Sequence, residues 1–394
     1  MYEALKQRFS DTFHRPPRYL FSAPGRTELS GNHTDHQLGK VLAGAVNLDT
    51  VAAVAENGER VIRVLSEGYP LCEVELDSLE IRPALFGTTE ALIRGVAAGV
   101  AQRGCTVPGF DACVTSRVLA GSGLSSSAAF EVLLGTIVNH LTGAGLSALE
   151  IAQLGQYAEN VYFGKPCGLM DQAASSLGSV TTIDFADEKA PAVEKLELDL
   201  HAFGYALCII ESGADLADLT DEYAAIPEEL GKVCAHFGKK HLREVPEEDF
   251  YGALPALRSE AGDRAVLRAI HVYEENKRVE RQVAAIKRGD FDCFLELVKA
   301  SGRSSWMYLQ NVVPAGYKAH QDCAVALALC EKLLGGRGAS RIHGGGFAGT
   351  VQAFVPLDML ESFQAGIETV LGEGSCHVLS IRAEGGILME EAAL

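Results

Sequence analysis

The sequence predicts an α/β protein of two lobes, and three observations lead there. First, 394 residues exceed the usual span of one hydrophobic core. Second, short apolar runs with strand-like alternation are interleaved with longer runs of helical period. Third, glycine-rich loops stand where such elements meet. A boundary near residue 200 is expected, giving lobes of residues 1–200 and 201–394.

The first element is an amphipathic helix in "MYEALKQRFSDTFHRPPRY", charged throughout and without the apolar run of a signal peptide. Strands follow in "YLFSAPGR", "GKVLAGAVNLDTVAAVAEN", "ERVIRVLSEGY" and "LCEVELDSLEI". "ALIRGVAAGVAQRG" reads as a helix closed by glycine. The stretch "FDACVTSRVLAGSGLSSSAAFEVLLGTIVNHLTG" reads as strand, glycine loop and helix. Ser147 and Glu150 form a capping-box pattern that opens a further helix, which Gly164 would stop. "SVTTIDF" and "YALCIIES" are strand candidates, and beyond residue 215 charged helices dominate. Near the end come a strand, the loop "HGGGFAG", the strand "TVQAFVP" and a helix over "LDMLESFQAGIETVL".

Charge and cysteines exclude several functions. A formal net charge of −18 opposes nucleic acid and anionic lipid, so a phosphate-bearing ligand must be small and locally held. The ten cysteines form no CxxC pair and no zinc-type spacing, which fits reduced thiols in a cytoplasmic protein. No stretch is long and apolar enough to span a bilayer. The oligomeric state, monomer or dimer, is left open.

Two glycine loops compete for phosphate. Residues 121–135, "GSGLSSSAAFEVLLG", put three serines at the mouth of a helix, where free N–H groups favour an anion. A serine cap after a tight turn accounts for the same residues, and this stretch alone does not choose. "GGGFAG", residues 344–349, has the G-x-G-x-x-G spacing but leads into a strand, so it reads as a tight hairpin rather than a dinucleotide loop. No Gly-Lys pair is followed by Ser or Thr, so there is no Walker A loop, and the protein-kinase motifs are missing.

Taken in order, "PGRTELSGNHTDHQLGKVLAGAV", "GSGLSSSAAFEV", "AENVYFGKPCGLMDQAASSLG", "LTDEYAAI" and "HGGGFAGTVQAFV" resemble the motifs of the galactokinase branch of the galactokinase, homoserine kinase, mevalonate kinase and phosphomevalonate kinase superfamily. The likeness runs from about residue 20 to residue 355. It implies two α/β lobes with the active site between them, and phosphorylation of the anomeric hydroxyl of galactose by ATP with Mg²⁺. By this resemblance Arg26 and Asp171 would be catalytic, the first stabilising phosphoryl charge and the second orienting or deprotonating the sugar hydroxyl. Asn32, His33, Thr34, Asp35, Gly168 and Tyr223 would hold the sugar. Gly121, Ser122, Gly123, Leu124, Ser125, Ser126 and Ser127 would wrap the phosphates, with Ser127 and Glu159 as magnesium ligands. Singly, Asp35 reads as a turn residue, Asp171 as a helix cap and Tyr223 as a packing residue. Their occurrence together in family order carries the functional reading.

The chain departs from the family at the sugar motif. Where the signature reads Gly-Glu-His-Thr-Asp-Tyr, this chain has Gly31, Asn32, His33, Thr34, Asp35 and His36. The Asn-Leu-Ile that usually precedes it is replaced by Glu28, Leu29 and Ser30. Basic residues usual after the sugar tyrosine are absent. Loss of a carboxylate beside the sugar's C6 makes galacturonate an alternative substrate, with His36 or Asn32 as the group that would meet a C6 carboxylate; a C2-modified sugar such as N-acetylgalactosamine is a further alternative. A catalytically silent sugar-sensing regulator is the alternative of another class.

Overall fold

The computed structural model describes residues 2–118, 123–165, 167–213, 219–347 and 349–392. Strands β1 (Tyr19–Ser30), β2 (Lys40–Glu56), β3 (Val61–Ser66), β4 (Cys72–Glu75), β5 (Phe110–Ser116), β6 (Val180–Asp184), β7 (Ala192–Leu196) and β12 (Ile387–Glu391) form one mixed sheet. Its order is β12-β1-β2-β5-β3-β4, and β6 and β7 continue from the far half of the long strand β2. Pairing is antiparallel except between β3 and β5. A second, antiparallel sheet runs β11-β8-β10-β9, built from β8 (Tyr205–Glu211), β9 (Ala339–His343), β10 (Thr350–Pro356) and β11 (Cys376–Leu379).

Helices α2 (Thr89–Ala101) and α3 (Ser126–Thr142) cover the first sheet, because their apolar residues pack with Phe21, Ala52, Val54, Ile62 and Phe110 in one core. Helices α1 (Tyr2–Phe13), α4 (Ala148–Tyr157) and α5 (Met170–Leu177) complete this half. The capping box of Ser147 and Glu150 is formed at the start of α4. A π-helical turn, Ala158–Phe163, follows and ends at Gly164, whose φ of +78° suits the left-handed cap that glycine adopts without a Cβ clash.

The remaining helices are α6 (Thr220–His236), α7 (Glu247–Gly252), α8 (Leu254–Glu260), α9 (Asp263–Arg288), α10 (Phe291–Ser304), α11 (Asp322–Leu334) and α12 (Leu360–Leu371). Helices α11 and α12 pack on the second sheet through Cys323, Ala326, Phe363 and Ile367. A second π-turn, Ser305–Leu309, extends α10. The "HGGGFAG" loop joins the antiparallel pair β9 and β10, which is the hairpin expected. The expected boundary falls between β7 of the first sheet and β8 of the second. The C-terminal span does not stay with the second sheet, however, since β12 returns to pair with β1. No helix among the described residues is long and apolar enough to cross a membrane.

Candidate active site

Arg26 lies on β1, a strand buried along its whole length. The β1–β2 register shifts between Pro24 and Arg26, a bulge that re-aims the strand's side chains. Gly25 lets the loop before α3 come close, since a Cβ there would stand 3.0 Å from the Leu124 carbonyl oxygen. The Arg26 backbone N–H donates to that carbonyl.

The guanidinium forks onto Asp171 in the first turn of α5. Nε donates to Oδ1 at 2.7 Å and Nη2 to Oδ2 at 2.8 Å, while Nη1 donates to the Gly123 carbonyl. Ser125 Oγ donates to Asp171 Oδ2 at 2.7 Å. Burial opposes ionisation of Asp171, but Arg26 and the Ser125 hydroxyl outweigh it and hold the carboxyl below its ordinary range. Two separate segments, the bulge of β1 at Arg26 and the start of α5 at Asp171, thus meet at the mouth of α3.

Ser125 is the residue preceding α3, but it does not cap the helix with its side chain. It adopts left-handed backbone, φ +57°, which is costly for a residue with a Cβ, and spends its hydroxyl on Asp171. The plain serine-cap reading therefore gives way here. Leu124 is buried, and Gly123, Ser126 and Ser127 are half-buried at the same mouth. Gly121 and Ser122 lie outside the described residues.

Glu159 sits in the first π-turn and is buried. Its Oε2 accepts from Gln172 Nε2 at 2.8 Å, and the same amide donates to Glu131 Oε2 at 2.9 Å. Lys165 Nζ stands 3.4 Å from Glu159 Oε1. Glu131, one helical turn beyond Ser127 on α3, keeps Oε1 buried without a partner among the described residues. Burial and the neighbouring Glu159 push its carboxyl up to about 9. Among the described residues, no cluster of three or more His, Cys, Asp or Glu is arranged to hold a metal. The donors that Ser127, Glu131 and Glu159 offer are all oxygens, including one orphaned oxygen of the Glu131 carboxyl, and that chemistry suits Mg²⁺ arriving with a nucleotide.

The sugar motif forms the turn after β1, ending in a short 3₁₀ helix, Asp35–Gln37. Helix α9 holds this turn: Glu275 Oε1 accepts from Ser30 Oγ and the Gly31 N–H, and His271 Nε2–H donates to the Asn32 carbonyl. Asp35 packs on Gly168, where a Cβ would come within 1.9 Å of Asp35 Oδ2. Burial first, and Asp171 second, push the Asp35 carboxyl up to about 6. His33, at φ +57°, donates from Nε2 to the Gly345 carbonyl at 3.0 Å. His36 Nε2–H faces His33 Nδ1 at 3.4 Å, and Gln37 Nε2 donates to His36 Nδ1 at 3.2 Å. Burial lowers both imidazoles, His36 to about 3, so both are neutral at pH 7. Tyr223 on α6 lies against Gly345, where a Cβ would be 2.5 Å from the ring, and its hydroxyl donates to the Gly346 carbonyl at 3.0 Å.

Two of the expected sugar contacts have other work in this structure. Thr34 is fully buried, its hydroxyl bonded to the carbonyls of Gly31 and Lys40, so it braces the turn. Asn32 is also fully buried: Nδ2 donates to Glu28 and the Gly344 carbonyl, and Oδ1 accepts from Asn311 Nδ2 at 2.8 Å. Neither presents a free polar atom to a ligand. Sequence reasoning passed over Glu131, Gln172, Arg341 and Asn311, and met Glu28 only as a departure from the signature. Gln172 adjoins Asp171 and Glu131 follows Ser127 by one turn, which is a signal of a kind; Arg341 and Asn311 carry none.

An arginine fork on an ionised acid at a serine-lined helix mouth is the arrangement of a small-molecule kinase of the type in which positioning and charge neutralisation do the catalysis. Residues 91–179 match the model of the GHMP kinases N terminal domain, and residues 7–56 match the galactokinase galactose-binding signature. A galactokinase of Streptomyces coelicolor is 32% identical over 362 residues, covering 92% of this chain and 91% of that protein. The chain belongs to the galactokinase family. The Lactococcus lactis galactokinase solved with galactose superposes with a TM-score of 0.82 at 25% identity, over 98% of this chain and 99% of that one. The mevalonate kinase of Methanococcus jannaschii shares the fold, with a TM-score of 0.66 at 15% identity over 93% of this chain and 99% of that one.

Proposed function

We propose that the protein transfers the terminal phosphoryl group of ATP to the anomeric hydroxyl of galactose, giving galactose 1-phosphate and ADP. The observation that carries this reading is the buried fork of Arg26 on Asp171, tied through Ser125 to the mouth of α3. As the bond from the sugar oxygen to phosphorus forms, the bond from phosphorus to the β,γ-bridging oxygen breaks. The hydroxyl proton leaves toward Asp171. Because Arg26 holds that carboxyl in its ionised form, Asp171 orients the hydroxyl first and accepts the proton late, once the oxygen has acidified.

Arg26 faces the charge that gathers on the phosphoryl oxygens, and the N–H groups at the start of α3 add their dipoles. Magnesium bound with ATP would neutralise the phosphate oxygens there. In this reading Ser127 and Glu159 hold the ion, with Glu131 beside them, and Asp35, His33, Gly168 and Tyr223 hold the sugar. The lobes are residues 1–200 and 201–394, with the last strand returned to the first, and the free thiols of all ten cysteines suit the cytoplasm.

A uronate fits less well. Both nitrogens of His36 are engaged and its ring is neutral, and every polar side-chain atom of Asn32 is bonded within the protein. Neither offers a cation to a C6 carboxylate. The intact fork also weighs against a silent sensor, which has no use for it. Purified protein should be supplied with ATP, Mg²⁺ and, in turn, galactose, galacturonate, N-acetylgalactosamine, arabinose and mevalonate, following ADP release. Galactose is expected to give the highest kcat/KM; a preference for galacturonate, or no sugar-dependent ADP, would reject the reading.

A further inference from the structure

We infer that His343 is a positioning residue for the loop before α3: held between the two sheets in one tautomer, it joins Thr350 to form the seat on which Gly123 meets the Arg26 fork. His343 closes β9 and Thr350 opens β10, and the two face each other across that pair of strands. Each residue is 1% exposed. The Glu28 backbone N–H, on β1 of the other sheet, donates to His343 Nε2 at 3.2 Å. A backbone N–H can only donate, so Nε2 is the bare nitrogen and the ring hydrogen sits on Nδ1. Nδ1–H therefore donates to Thr350 Oγ1, at 2.9 Å. Burial, with Arg26 and Arg341 nearby, holds the imidazole well below its ordinary range, so the ring is uncharged at pH 7.

Gly123 rests on that bond. A Cβ built on it would stand 2.7 Å from Thr350 Oγ1 and 3.1 Å from His343 Nδ1, the two atoms that the bond joins. Its φ of +71° and its lack of a side chain let the loop lie directly against them. From β1, Arg26 Nη1 donates to the Gly123 carbonyl, and the Arg26 N–H donates to the Leu124 carbonyl at 3.0 Å. The loop is thus gripped by the first sheet and seated on the second at the same residue. Thr27 Oγ1, 3.1 Å from His343 Nε2, braces the ring's other edge and is itself held by Gln352 Nε2 at 2.7 Å.

The two ring nitrogens have separable duties. Nε2 satisfies a buried backbone donor, and removing that acceptor costs stability. Nδ1 fixes the Thr350 hydroxyl beneath Gly123, and removing that donor loosens the seat without unpairing the Glu28 N–H. Glutamine carries its amide oxygen to about the place of Nε2, and asparagine carries its amide nitrogen to about the place of Nδ1. His343→Gln therefore keeps the first duty and His343→Asn keeps the second.

This inference rests on the reading that the loop before α3 holds the phosphates of ATP. The test is calorimetric titration of wild type and variants with Mg²⁺ and adenylyl imidodiphosphate, a non-hydrolysable ATP analogue, with thermal melts and KM for galactose beside it. His343→Gln and Thr350→Val should each weaken the analogue about 5- to 10-fold, the scale of one neutral hydrogen bond, with KM for galactose within about 2-fold of wild type. Thr350→Ser, which keeps the hydroxyl, should bind as wild type does. The double variant H343Q/T350V should bind no worse than the weaker single, because both changes remove the same bond. His343→Asn should lose melting temperature yet hold the analogue within about 2-fold of wild type. His343→Gln binding as tightly as wild type, additive losses in the double variant, or His343→Asn as weak as His343→Gln overturns the inference. Where His343→Gln does not fold, Thr350→Val against Thr350→Ser decides alone: equal affinities reject the seat, and a gap of about 5-fold or more supports it. Should wild type not bind the analogue, the phosphate reading of the loop fails, while the coupling of the His343 and Thr350 variants in their melting temperatures still tests the bond.

Discussion

Replacing Arg26 by lysine keeps the charge and removes the fork. In the protein as it stands, three guanidinium N–H groups are used, two on Asp171 at 2.7 and 2.8 Å and one on the Gly123 carbonyl. A lysine ammonium is a compact point charge that cannot span both carboxylate oxygens and the carbonyl from one position. Two charge-assisted hydrogen bonds are lost, each worth about 1.5–3 kcal/mol, or about 3–6 kcal/mol together. If that loss falls on the transition state, kcat drops about 160- to 25,000-fold, since each 1.36 kcal/mol is a factor of ten. The measurement is ADP release at saturating galactose and ATP, with circular dichroism melts to confirm that Arg26→Lys folds. KM for galactose should move little, because on the proposed reading Asp35, His33 and Tyr223 rather than Arg26 hold the sugar. A folded Arg26→Lys protein with kcat within about 10-fold of wild type would refute the argument that fork geometry, and not charge alone, is required.

Asp35→Asn should weaken galactose binding and yet stabilise the fold. The Asp35 carboxyl is raised from 3.8 to about 6, so its contribution to stability is fully present below the unfolded value and lost as pH rises through the folded one. At pH 7 wild type therefore carries a penalty of at most about 3 kcal/mol that the amide lacks. Thermal melts should show the variant more stable at pH 7, with the gap closing toward pH 4; an equal gap at both would contradict the assignment. The same shift predicts that KM of wild type for galactose rises as pH falls below about 6, a dependence absent from Asp35→Asn. Gly168→Ala places a methyl group 1.9 Å from Asp35 Oδ2, so the carboxylate must swing away. KM for galactose should rise about 10-fold or more with kcat for bound sugar less affected, and unchanged sugar saturation would show that Asp35 is not held there for the ligand.

What could be read in advance was what the chain states locally. Helix α4 announces itself by Ser147 and Glu150, whereas Arg26, Asp171, Asp35 and the serine loop were legible only through the resemblance of their motifs taken in order, since singly Asp35 reads as a turn residue and Asp171 as a helix cap. The buried ion pair of Glu28 and Arg341 is different. Glu28 and Arg341 are separated by more than three hundred positions, and within their own strands each is only an interruption of apolar alternation. Strand β12 is short and edge-placed, and its pairing with β1 joins the two ends of the chain, so no local period marks it. The turn holding Glu159 winds as a π-helix, which sequence period does not distinguish from the α-helix before it. Asn32 and Thr34 were legible as polar residues of a functional turn, but only packing reveals that the turn consumes their polar atoms.

The most direct test of the account is Asp171→Asn followed by phosphorus NMR of a reaction containing galactose, ATP and Mg²⁺. The amide removes the charge that Arg26 grips and, on the proposed reading, the acceptor for the hydroxyl proton. Wild type should accumulate galactose 1-phosphate, and the variant should bind ATP yet form none above the uncatalysed background. Product formed by Asp171→Asn at the wild-type rate would contradict the central claim.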